Sequence, residues 1–197
     1  ATAKRLLEAC TRATAPVPPD VLDTIADVLK QQDMSALAEP FARGTLERRS
    51  MAIAEFRARY PKWAETLVVA PDSQRAALDL SSSQIEDLNP IATLPLWDLT
   101  LSNTQISDLS PLASMHLTSL TLTDCRKLDT LAPLAGMPLK RLNIAGTKVS
   151  DLSPLQGMDL VELDVGRSRV RDLTPLAEMP LQVLVLFDTS VDDLAPI

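Results

Sequence analysis

Between residues 75 and 197 apolar and polar positions return in one phrase, six times over. Clear copies read LWDLTLSNTQISDLSPLASMH at 96–116, LKRLNIAGTKVSDLSPLQGMD at 139–159 and LVELDVGRSRVRDLTPLAEMP at 160–180. The opening leucines Leu96, Leu117, Leu139, Leu160 and Leu181 are spaced by 21, 22, 21 and 21 residues. Alternation in L-x-x-L-x-L predicts a short strand whose successive side chains face opposite ways. Leu96, Leu99, Leu101 and their equivalents point inward, and residues between them point out. Ile85, Ile106, Leu128, Val149, Val170 and Val191 fill the next turn, and Leu88, Leu109, Leu131, Leu152, Leu173 and Leu194 bring the chain back along the far side. Pro90, Pro111, Pro133, Pro154, Pro175 and Pro196 then each start a short helical or 3₁₀ segment, where a missing N–H costs little. A fixed period in the low twenties predicts a solenoid of stacked coils with one parallel strand per coil.

Two polar columns belong to this scaffold. Asp87, Asp108, Asp151, Asp172 and Asp193, with Thr130 in the same place once, precede the proline turns. Such a row of carboxylates invites a metal reading, but one per coil at a turn is the pattern of a side chain accepting backbone N–H bonds. Ser83, Thr104, Cys125, Thr147, Ser168 and Thr189 lie three residues past the last strand leucine. Their short side chains are expected to bond backbone groups of neighbouring coils. Cys125 is then a ladder member rather than a nucleophile. The one extra residue of the 22-residue step lies at 124–128 and should bulge from the ladder.

Residues 1–68 read differently. Helices are expected at 2–13 (Leu6, Leu7, Cys10 on one face), at 21–32 behind an Asp20 cap, and, more weakly, at 34–41, where Pro40 interrupts. A stronger helix starts after Gly44 and Thr45 and runs 46–60, with Ile53, Phe56 and Tyr60 on one side and Pro61 as its stop. A turn around Trp63 leads into Leu67, Val68 and Val69. The first coil of a solenoid has an open apolar edge that some polar-faced element must cover. The expectation is therefore a helical cap at 1–68 whose Phe56, Tyr60, Trp63 and Val69 meet Leu78 and Leu80. An independent effector or signalling role for the same segment stays open. Arg43, Arg48, Arg49, Arg57, Arg59 and Lys62 alternate with Glu47, Glu55 and Glu65, which is a solvated helix surface rather than a nucleic-acid patch.

Charge sharpens the division. Residues 1–72 hold ten basic and ten acidic side chains, and residues 73–197 hold nine against sixteen, which accounts for the whole formal charge of −7. An acidic array excludes a nucleic-acid backbone as the expected partner. Apolar residues make up 46% and aromatics 3%, which suits regular layers of leucine, alanine and valine. Cys10 and Cys125 show no paired spacing, so reduced thiols are expected. No run reaches the roughly 18 apolar residues of a membrane span, and no secretion signal is visible. Localisation is left between the cytoplasm and export without such a signal. His116, the single histidine, occupies a loop position. No nucleophile–base pair, glycine-rich phosphate loop or ligand cluster is present, so no catalytic residue, cofactor or metal is expected.

The turn Gln105-Ile106-Ser107-Asp108-Leu109-Ser110-Pro111-Leu112 after L-x-x-L-x-L resembles the short bacterial leucine-rich repeats of the internalin type, across residues 73–197. The resemblance implies an α/β solenoid, a right-handed leucine-rich-repeat array of about six coils with an N-terminal α-helical cap domain. It implies a protein partner. Serine and threonine in place of most ladder asparagines, and a helical region longer than the usual internalin cap, depart from that pattern. The leading expectation is a protein-interaction module using the concave strand face, through Asp79, Asp98, Thr100, Arg141, Asn143, Glu162, Asp164, Val183, Val185 and Phe187. The alternative is the substrate-recognition part of a secreted effector, toxin or signalling enzyme, with catalysis in the helical part or outside these residues. At Pro196-Ile197 the sixth repeat stops midway beside three outward apolar residues. The expectation there is an array continued by further coils, or an edge that pairs with a second copy.

Overall fold

Alternating apolar residues become strands because each coil has a neighbour on which to bury them. The structure, a computed structural model, describes residues 35–71 and 75–197. The helices expected at 2–13 and 21–32 lie outside these. Among the described residues seven strands form one sheet in chain order: β1 (Val68–Val69), β2 (Ala76–Asp79), β3 (Leu96–Thr100), β4 (Ser119–Thr121), β5 (Arg141–Asn143), β6 (Glu162–Asp164) and β7 (Val183–Val185). From β2 to β7 every pairing is parallel, one strand per coil, and only β1 runs antiparallel, Val68 opposite Ala77. The register stacks Leu78, Leu99, Leu120, Leu142, Leu163 and Leu184 in one column. The first five are at most 2% exposed. Leu184 is half-buried. Leu181 and Leu186 beside it are half-buried too, and Leu194 and Ile197 are exposed.

On the far side five of the six repeat prolines open a 3₁₀ turn, Asn89–Ile91, Ser110–Leu112, Ala132–Leu134, Ser153–Leu155 and Thr174–Leu176, whereas Pro196 lies in a plain turn. Each turn buries its last apolar residue in the core. The exit from each turn takes one of two forms. Ala92 and Ala113 stay helical, with ψ of −23° and −26°. Ala135, Gln156 and Ala177 flip to ψ of 127°, 130° and 138°, and the next residue takes positive φ: Gly136 at 72°, Gly157 at 73° and Glu178 at 63°. These are type II turns, which favour glycine at their third position. Gly136 and Gly157 have open space around them, so the requirement is backbone conformation alone. Glu178 meets it without glycine. Glu178→Gly should therefore raise stability by about 0.5–1 kcal/mol, strain relief exceeding glycine's extra entropy loss. Urea unfolding checks this, and a destabilised variant would contradict it.

The N-terminal part departs from expectation at one place. The segments expected at 34–41 and 46–60 are a single helix, α1 (Ser35–Arg59). Pro40 removes one bond of the ladder, and Gly44 costs about 1 kcal/mol. Neither suffices to end a 25-residue helix. Its C-terminal end behaves as read. Ile53 and Phe56 are 4% and 3% exposed, Phe56 meets Tyr60 with ring centroids 5.4 Å apart, and Tyr60 stacks on Trp63 at 5.1 Å. A 3₁₀ turn, Trp63–Thr66, comes next. The Thr66 hydroxyl donates to the Asp79 carbonyl. Phe56, Leu67, Leu78 and Leu80 share one core, with Tyr60, Trp63 and Val69 packed against it. α1, the turn and β1 thus cap the first coil. Arg48, Arg57, Arg59 and Lys62 are exposed. Arg49 is half-buried instead, and burial first, then the nearby Arg75 charge, lowers its pKa.

Candidate functional site

Strand geometry fixes three columns of outward positions. Ala77, Asp98, Ser119, Arg141, Glu162 and Val183 stand in register, and so do Asp79, Thr100, Thr121, Asn143, Asp164 and Val185. Backbone bonds continue the ladder past the strands, from Ser82 N to Ser102 O at 2.8 Å through to Arg167 N to Phe187 O at 2.9 Å. They align a third column of Ser81, Ser102, Thr123, Ala145, Gly166 and Phe187. All ten residues expected to contact a partner share this face.

Their environments differ along it. Arg141 reaches across to Asp98, two coils away, at 4.0 Å, and Ser119 between them is 7% exposed. Asn143 accepts from the Thr123 hydroxyl and from Ala145 N, both at 2.9 Å, and donates to Asp164 at 3.0 Å. Asp164 accepts from Gly166 N at 2.9 Å, and Asp79 accepts from Ser81 N at 2.9 Å. Three of the ten therefore also bond the backbone two residues on, which steadies the exit of the strand. Sequence reasoning missed this role. Its signal was available, an Asx residue two before the last outward position in Asp79-Leu80-Ser81, Asn143-Ile144-Ala145 and Asp164-Val165-Gly166. Reversing the charge of Asp164 would thus disturb the local backbone at the strand exit. Glu162 is exposed and has no side-chain partner among the described residues.

Beyond β6 the face turns apolar. Val183 and Phe187 are 48% and 56% exposed. The Phe187 ring lies directly over Gly166, where an added Cβ would fall 2.6 Å from the ring. Arg167 sits on the ring as well, its guanidinium carbon 5.6 Å from the centroid, and is held to Asp124 at 3.4 Å. Glycine at 166 is what lets the ring lie flat on the face.

The turn aspartates act as caps. Asp87, Asp108, Asp151, Asp172 and Asp193 each accept the N–H two residues on at 2.8–2.9 Å, and Thr130 does so at 3.2 Å. Hydrogen bonds from the side chains, then the N–H groups, of Ser110, Ser153 and Thr174 hold the Asp108, Asp151 and Asp172 carboxyls below their ordinary pKa. A depressed folded pKa means stability that is present above the unfolded value, near pH 4, and lost as pH falls through the folded one. Asparagine keeps the acceptor and cannot titrate. The triple variant Asp108→Asn, Asp151→Asn, Asp172→Asn should therefore lose less Tm than the parent between about pH 4 and pH 2. Parallel melting curves would refute it.

The ladder column differs from its expectation. Thr104, Thr147 and Thr189 donate to carbonyls three residues back in their own coils, at 2.8, 2.8 and 2.7 Å. Between coils Cys125 meets the Leu101 carbonyl at 3.1 Å and the Thr104 hydroxyl at 3.4 Å. Ser83 Oγ is buried with no partner among the described residues. The extra residue places Arg126 in solvent, its side chain 82% exposed. His116 is a surface residue whose carbonyl accepts from Arg75 at 2.7 Å. Among the described residues no group of three or more His, Cys, Asp or Glu is placed to hold a metal, and no helix is long and apolar enough to cross a membrane.

No protein-family model and no curated protein matches the chain. Among solved structures it is similar to an internalin (InlF) from Listeria monocytogenes, with a TM-score of 0.50 and 21% identity over 73% of this chain and 57% of that one. An internalin C2 from the same organism is 22% identical over 62% of this chain and 74% of that chain, with a TM-score of 0.36. The chain thus spans 57% of the length of the first of these. That first likeness establishes the fold, a leucine-rich-repeat solenoid with an N-terminal helical cap.

Proposed function

We propose that the chain is a non-enzymatic protein-interaction module that binds a protein partner on the strand face from β3 to β7. The observation that carries this reading is the variation along one regular face. The inward leucines hardly change, while the outward positions pass from Asp98 and Arg141 through the unpartnered Glu162 to the exposed Val183 and Phe187. Exposed apolar area bordered by charge is the anatomy of an interface, with an aromatic anchor and a polar rim. Residues 1–68 serve as the cap domain and 73–197 as the binding array.

The test is binding of a partner captured on the intact chain. Phe187→Ala and Glu162→Lys should each weaken it about tenfold or more, as anchor and charged contacts do. Glu162→Lys should also change its salt dependence, and both variants should melt as the parent does. Binding unaffected by either substitution would place the partner elsewhere.

A further inference from the structure

Basic charge in this acidic array is gathered in one place. Of the nine Lys and Arg residues between 75 and 197, six are Arg126, Lys127, Lys148, Arg167, Arg169 and Arg171. All six are exposed, and all lie where the coils built on β4, β5 and β6 leave their strands. Lys127, Lys148 and Arg169 hold equivalent positions, each just before a buried residue of the turn column, Leu128, Val149 or Val170. Backbone bonds from Lys148 N to Leu128 O at 2.8 Å and from Arg169 N to Val149 O at 2.9 Å keep these coils in step. Three cationic side chains therefore stand in line at roughly the 5 Å spacing of neighbouring strands. The one extra residue of the array adds Arg126 beside this line.

Intramolecular counter-charge covers only half of the rim. Arg126 and Arg167 share Asp124, at 4.0 and 3.4 Å, and Lys127 faces Glu86 at 3.9 Å. Lys148, Arg169 and Arg171 have no side-chain partner among the described residues. Like charges stacked this closely repel one another, and an anion laid along them would relieve the repulsion. The anion must be short. Asp129, Asp151 and Asp172 lie further along the same coils, and the last coil carries Asp188 and Asp192 at the positions of Arg167 and Arg171. A nucleic-acid strand or an anionic bilayer would bring negative charge onto those aspartates, whereas a few carboxylates would not. In an extended peptide, alternate side chains repeat about every 6.6 Å on one side, so two or three carboxylates span the line.

We propose that this lateral rim is a second docking surface, separate from the concave face, for a short acidic segment of a partner protein. The probe is a fluorescein-labelled peptide of alternating Glu and Ser, about ten residues long, followed by anisotropy with the full chain at low salt. It should bind saturably, weaken as salt screens the rim, and lose at least tenfold in affinity with Lys148→Glu/Arg169→Glu. Thr121→Ala, an uncharged change on the strand face, should leave that affinity unchanged, so failure here is distinct from failure of the concave site. The milder Lys148→Gln/Arg169→Gln should show a smaller loss at an unchanged melting point, which serves if the reversal disturbs folding. Absence of saturable binding would overturn the proposal, as would affinity unmoved by the Gln pair. Tighter binding of a short oligo-thymidylate, or of phosphatidylserine-containing vesicles, than of the peptide would overturn it too.

Discussion

Replacing Leu120 by alanine is expected to lower the stability of the array by about 3 kcal/mol, within the roughly 2–5 kcal/mol seen for buried Leu→Ala changes. Leu120 is 1% exposed and stands between Leu99 and Leu142 in the strand register. Both neighbours are held by their own coils, so the void cannot close by a simple shift. In a solenoid each coil is stabilised chiefly by the two beside it, so damage at a central coil weakens two interfaces at once. Leu184→Ala, at a half-buried position of β7, should cost much less, about 1 kcal/mol, since part of that side chain is already in water. Urea unfolding of the two variants measures the contrast. Equal losses would mean that the leucine column is not the spine of the fold.

Removing residues 1–68 is expected to leave the array insoluble or partly unfolded. Phe56 and Leu67, 3% and 6% exposed, share a core with Leu78 and Leu80, and the Tyr60–Trp63 stack packs on the same core. Aromatic side chains bury on the order of 150–250 Å² each, so their loss opens a wide apolar surface on the first coil. The deletion also takes Val68, half of the antiparallel pairing with β2. Sedimentation and circular dichroism of the deleted chain decide the matter. A soluble, monomeric, fully folded array would instead make the helical region an independent domain.

The parts of this fold that were legible in the sequence are those in which one residue type answers one geometric demand in every coil. Leucines at fixed steps predict the parallel register, and aspartates before the proline turns predict their caps. Where one position can meet a demand in two ways, the reading fails. A hydroxyl in the Thr104 column could bond its own coil or the next, and Thr104 itself does both. Pro40 could end a helix or be carried within one, and the helix runs on through it to Arg59. The type II turns had a sequence signal in Gly136 and Gly157, but Glu178 hides it in the next coil. For the concave face, the outward set came from alternation alone. That Asn143 and Asp164 also brace the backbone did not, because it depends on a bond two residues along that only the folded strand exit brings into reach.

The most direct measurement of the central claim is site-specific photo-cross-linking to a captured partner. One photoreactive residue would be placed at Glu162, on the strand face, and another at the exposed Gln156, on the side of the 3₁₀ turns. A concave-face interaction module predicts cross-linked partner from position 162 and none from position 156. Cross-links from position 156 with none from 162 would contradict it.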